Sequence, residues 1–87
     1  MEKQKLIEKI NEVLADEFEV DVHEIMPDAN IKKILQLDSL SLVDMVALIE
    51  ENFSVSIKGA EVVNVQTFGS LYEFVYDRMN RKSNGGD

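Results

Sequence analysis

Apolar residues recur at three- and four-residue spacings in three separate stretches, and this periodicity most restricts what the chain can fold into. Leu6, Ile7, Ile10, Val13, Leu14 and Phe18 fall on one face of a helix expected over residues 3–17. Leu42, Met45, Val46, Ile49 and Phe53 do the same for a helix over residues 39–53. Phe68, Leu71, Tyr72, Val75 and Met79 mark another that opens at Thr67. A short helix is expected at residues 59–63. The run Ser54-Val55-Ser56-Ile57 alternates like a strand, but nothing offers it a pairing partner, so it reads as a loop. The expected fold class is all-α: a four-helix bundle of three longer helices and one short one. Residues 1–82 would form one domain and residues 83–87 a flexible tail.

Residues 19–37 must connect the first two long helices, and they include Pro27, the chain's single proline. Asp21 and Glu24 have the spacing of a capping pair, which suggests a short helical turn inside this long loop. Val20, Val22, Ile25, Ile31, Ile34 and Leu35 would anchor it, so a packed connection is expected rather than a loose linker.

The chain has no cysteine, which excludes a disulfide framework, a thiolate metal site and a cysteine nucleophile. No apolar stretch approaches membrane-spanning length, and a cytoplasmic, monomeric protein with no membrane insertion is the expectation. The net charge of −8 disfavours nucleic acid and anionic surfaces and favours basic protein surfaces. Its excess is local. Residues 38–57 carry Asp38, Asp44, Glu50 and Glu51 with no lysine or arginine, whereas residues 58–87 set Lys58, Arg78, Arg81 and Lys82 against Glu61, Glu73, Asp77 and Asp87. Crowded acids of this kind predict stabilisation by divalent cations or mild acidification.

That acidic segment opens with Asp38-Ser39-Leu40, in which Asp38 reads as the helix cap. A helix N-terminus presents unpaired N–H groups and a positive dipole end, so a phosphate ester on Ser39 would sit in a favourable field. No base capable of activating Ser39 lies nearby in sequence. The sole histidine, His23, falls in the long connection and is expected to be exposed. A serine without a base, in a chain without a triad or intrinsic metal cluster, reads as a substrate for another enzyme rather than a catalyst. On the helical wheel Leu40, Val43 and Ala47 form a second apolar strip, away from the core stripe and framed by Asp44, Glu50 and Glu51. Such a strip suits a partner with a shallow apolar patch ringed by arginine or lysine. Leu48 lies off the core stripe, and the wheel leaves open whether it is packed or exposed.

Taken together, these residues resemble the acyl carrier protein family over roughly residues 3–80. The resemblance rests on Leu35-Gln36-Leu37-Asp38-Ser39-Leu40, on Val43-Asp44-Met45-Val46 through Ile49-Glu50-Glu51-Asn52-Phe53, on Ile57, and on Thr67 opening the last helix. It implies an acyl-carrier-like bundle in which Ser39 receives 4′-phosphopantetheine from coenzyme A, by a separate magnesium-dependent phosphopantetheinyl transferase. Asp38 would lie beside the metal and phosphate during transfer. Leu40, Val43, Asp44, Ala47, Glu50 and Glu51 would form the face that acyl-transferring and synthase enzymes with basic docking surfaces recognise. The thiol of the arm would supply the thioester chemistry that a cysteine-free chain lacks, and the apolar interior between helices would shelter the cargo. A free-standing aminoacyl or peptidyl carrier using the same serine is the alternative. The chain departs from the family at Gln36, where glycine is usual, at Ser41, where an acid is frequent, and at Lys58-Gly59, where proline and an acid are common.

Overall fold

The structure, a computed structural model, describes residues 2–84, and side chains up to Asn80. Among these it is all-α, as the periodicity predicts: α1 (Lys3–Phe18), α2 (Ile31–Leu35), α3 (Ser39–Phe53), α4 (Gly59–Val62) and α5 (Phe68–Asn84), with a 3₁₀ turn at Val22–Glu24. Helix α5 extends to Ser83 and Asn84, into the expected tail; residues 85–87 lie outside the described part.

The long connection is more structured than its sequence suggests. Its 3₁₀ turn is closed by the expected pair: Asp21 accepts the His23 N–H at 2.8 Å, and Glu24 accepts the Asp21 N–H at 3.3 Å. Helix α2 follows, with Asn30 as cap accepting the Lys33 N–H at 3.0 Å. Five residues are too few to show helical periodicity, so only the cap and the anchors Ile31, Ile34 and Leu35 hinted at this helix. Helix α2 ends at Gln36 in the left-handed region, at φ 54°. That conformation is the physical reason a glycine suits this position.

The core draws on all five α-helices. Leu6, Ile10 and Leu14 of α1, Met45, Ile49 and Phe53 of α3, and Phe68, Leu71, Tyr72 and Val75 of α5 are buried together. Ile25, Ile31 and Leu35 from the long connection close the cluster on one side, and Val55, Ile57 and Val62 close it on another. Full burial of each large aliphatic or aromatic side chain contributes about 1.5–3 kcal/mol. Leu48, which the wheel leaves undecided, packs half-buried against this core. The Tyr72 hydroxyl donates to Asn11 across the α1–α5 interface, and burial holds its pKa above the usual tyrosine value.

Backbone hydrogen bonds fasten the connection to the start of α5. The Ile31 N–H donates to Gln66 at 2.9 Å, the Phe68 N–H to Ala29 at 3.2 Å and the Gly69 N–H to Pro27 at 2.7 Å.

Residues 54–58 form no strand, yet their alternation is real: Val55 and Ile57 are buried, while Ser54, Ser56 and Lys58 are exposed. Side chains replace the missing partner strand. Glu50 accepts the Ile57 N–H at 2.8 Å, Arg78 donates to the Ser56 carbonyl at 3.0 Å, and Glu61 accepts the Lys58 N–H at 3.1 Å.

Candidate functional site

Asp38 caps α3 as its sequence position predicts. Its backbone is extended and its carboxylate accepts the Ser41 N–H at 2.8 Å. That backbone hydrogen bond, followed by the Ser41 hydroxyl, holds the Asp38 carboxyl below its ordinary pKa, so it is ionised at neutral pH. Ser39 is the first residue of the 15-residue helix and is exposed. Its hydroxyl therefore sits at the positive end of the α3 dipole with open access. His23 is exposed and pairs through Nδ1 with Asp21 at 2.8 Å, in the 3₁₀ turn.

Along α3 from Ser39 the second apolar strip is exposed, as the wheel predicts. Leu40 is 78% exposed and Val43 64%, and Ala47, Asp44 and Glu51 also face solvent. Helix spacing brings Leu40, Val43 and Ala47 onto one face. These large apolar side chains, set beside acids, lie outside the core and form an exposed strip.

Beside the strip lies a groove of about 360 Å³ between α3 and α4, lined by Leu42, Val43, Val46, Ala47, Glu50, Ile57, Gly59 and Val62. The sequence reading missed it. Leu42 and Val46 belong to the core stripe by periodicity, and only the placement of α4 leaves them half-buried at a cleft. Val43 and Ala47 border both strip and groove, so the groove opens at the exposed strip. Its lining is apolar apart from Glu50. That carboxylate, expected with the exposed docking acids, is half-buried and holds the Ile57 N–H. On the far side, Arg78 pairs with Glu61 and stacks over the Phe74 ring at 5.1 Å. The hydrogen bond from Arg78 is the main cause that holds the Glu61 carboxyl below its ordinary pKa.

These features define a small, acid-edged helical domain with an exposed serine at a helix N-terminus and an apolar groove along the same helix. Residues 8–75 match the family described as the phosphopantetheine attachment site. The chain is 31% identical over 77 residues to the acyl carrier protein of Rubrobacter xylanophilus, covering 88% of this chain and 95% of that protein. It is 32% identical over 80 residues to the acyl carrier protein of Petrotoga mobilis, covering 92% and 94% of the two chains. A third relative, the acyl carrier protein of Thermosynechococcus vestitus, is 28% identical over 79 residues. The chain belongs to the acyl carrier protein family. Members carry covalently attached 4′-phosphopantetheine, act as carriers rather than catalysts, and work with synthases and transferases. The open Ser39 hydroxyl at the α3 N-terminus fits such a group, because the helix end favours a phosphate and nothing buries the serine.

Proposed function

We propose that Ser39 is the attachment residue for 4′-phosphopantetheine and that the chain carries acyl intermediates as thioesters on this arm, in fatty acid or a specialised lipid or polyketide-type biosynthesis. The observation that carries this reading is the exposed Ser39 at the α3 N-terminus, on the helix that also lines the apolar groove. When bound, the arm supplies a thiol, which this cysteine-free chain does not have.

The chain's own residues then do three things. Ser39 presents its hydroxyl to a phosphopantetheinyl transferase at a helix end that stabilises the resulting phosphodiester. Asp38, kept ionised by the Ser41 N–H, places a carboxylate beside the metal and phosphate of that transfer. Leu40, Val43 and Ala47, with Asp44, Glu50 and Glu51 at their edge, receive the basic docking surfaces of acyl-transferring and synthase enzymes. Tethering raises the local concentration of cargo at each enzyme, and a small charged interface lets the carrier leave promptly.

The groove favours acyl over aminoacyl or peptidyl cargo. Its walls are aliphatic and its one carboxylate is engaged with Ile57, so a charged amino group entering it would lose hydration with poor return. Intact mass after incubation with coenzyme A, magnesium and a broad-specificity transferase tests the attachment. One phosphopantetheine per chain is expected, and none on Ser39→Ala. An unmodified wild-type chain, or a modification that persists in Ser39→Ala, refutes the reading.

A further inference from the structure

A second cleft, of about 500 Å³, lies between α1 and the chain that leaves it. Glu19 ends the helix in the left-handed region, at φ 55°, and turns the chain back so that the Val20 N–H donates to the Ala15 carbonyl at 3.1 Å. Ala15 and Val20 pack against the core and Val22 is 43% exposed, which gives the cleft an aliphatic floor. Glu8, Glu12 and Asp16 stand along its α1 edge. Among the described residues its lining includes no base and nothing from α3 or α4.

The three acids recur every four residues, so they form a row about 12 Å long on one side of the helix. All three are exposed. Glu8 accepts from the Gln4 amide at 3.2 Å, while Glu12 and Asp16 have no hydrogen bond or ion pair among the described residues. Lys9 of the same helix is engaged with α3 instead: its Nζ donates to the Asn52 carbonyl at 3.4 Å and lies over the Phe53 ring at 5.3 Å. Asn11 also lines the cleft, and with its Oδ1 taken by the Tyr72 hydroxyl it offers only amide donors.

The acidic row calls for a cationic occupant, and the floor calls for an aliphatic one. An extended segment would need free backbone donors and acceptors to pair with. Helix α1 uses its own internally, so the occupant that fits is a helix laying one face into the cleft.

We propose that this cleft docks a cationic amphipathic helix of a partner protein. Arginine or lysine at every fourth position meets the Glu8–Glu12–Asp16 row, and aliphatic side chains seat on Ala15, Val20 and Val22. The cleft shares no residue with Leu40, Val43 and Ala47, so this partner stays bound while enzymes visit Ser39. The binding stands by itself; its use as a second anchorage during loading rests on reading Ser39 as the attachment residue.

Amide chemical shifts of the unmodified chain, titrated with a helical peptide of about 15 residues built on the repeat Leu-Ala-Ala-Arg, provide the test. The amides of Glu12, Ala15, Val20 and Val22 shift at lower peptide concentration than those of Leu40 and Val43. Glu12→Gln combined with Asp16→Asn weakens binding about tenfold and Val22→Ser about threefold, whereas Asp44→Asn combined with Glu51→Gln weakens it less than about twofold. The same peptide with glutamate in place of arginine does not bind. With the cleft saturated, kcat/KM for phosphopantetheine transfer to Ser39 stays within about twofold of its value without peptide. Earlier shifts at Leu40 and Val43, equal weakening by the two double variants, or full binding by Val22→Ser or by the glutamate peptide overturns the proposal. Cleft shifts that follow protein concentration without peptide also overturn it, because they assign the cleft to a second copy of the chain. A larger fall in the transfer rate overturns the joint occupancy. The titration needs no prosthetic group, so its failure leaves the Ser39 attachment standing, and failure of attachment leaves the titration intact.

Discussion

Replacing Gly69 by alanine isolates the contact that seats the long connection on α5. Gly69 is the second residue of that helix, where alanine would ordinarily gain up to about 1 kcal/mol over glycine from helix propensity. A Cβ at this position would lie 2.9 Å from the Pro27 carbonyl oxygen and 3.5 Å from its carbonyl carbon. Both are backbone atoms, and the oxygen also accepts the Gly69 N–H at 2.7 Å, so it cannot swing away as a side-chain tip would. Overpacking of this kind costs about 1–3 kcal/mol, and a weakened hydrogen bond adds about 1 kcal/mol. After the propensity gain the expected net loss is about 1–3 kcal/mol, or roughly 4–24 °C in the thermal midpoint of a domain this size. Gly59 supplies the contrast, because a Cβ there meets nothing within 4 Å. Gly59→Ala should therefore gain stability, by up to about 1 kcal/mol. Urea unfolding followed by circular dichroism measures both. A Gly69→Ala chain as stable as wild type would refute the argument that backbone contact, rather than propensity, decides the sign.

Gln36→Gly should raise stability by about 0.5–1 kcal/mol, because relief of the left-handed backbone exceeds the extra chain entropy of glycine; a lowered urea midpoint would count against it. Leu40→Ser and Val43→Ser should change stability by less than about 0.5 kcal/mol while lowering the kcat/KM of phosphopantetheine transfer by about tenfold; unaltered transfer kinetics would remove these residues from the docking face. The pH dependence follows from Asp38 and Glu61, whose folded pKa values lie below their ordinary values of 3.8 and 4.5. Such groups contribute stability above those ordinary values and lose it as pH falls through the depressed ones. Mild acidification, which acidic crowding alone predicts to be stabilising, is thus opposed by these two carboxylates: thermal midpoints should hold from pH 7 to about 5 and fall below about 4.5. A midpoint rising steadily down to pH 3.5 would show that relief of the acidic crowding outweighs the lost cap and ion pair.

Apolar periodicity determined the long helices α1, α3 and α5, because a helix that buries one face must repeat its apolar residues at that spacing whatever it packs against. The Asp38 cap and the exposed Leu40–Val43–Ala47 strip were legible for the same reason: both follow from position along a single helix. Helix α2 was not legible, since five residues are too short for a period and tertiary contacts at Gln66 and Phe68 hold it. The alternation of residues 54–57 was a true signal of an extended segment, but its partners are side chains and not a strand: Glu50 of the preceding helix α3 and Arg78 of α5. Tertiary structure alone decided that Glu50 faces the groove while Glu51 faces solvent. A helical wheel ranks positions by angle, and only the docking of α4 determines which angle meets a neighbour.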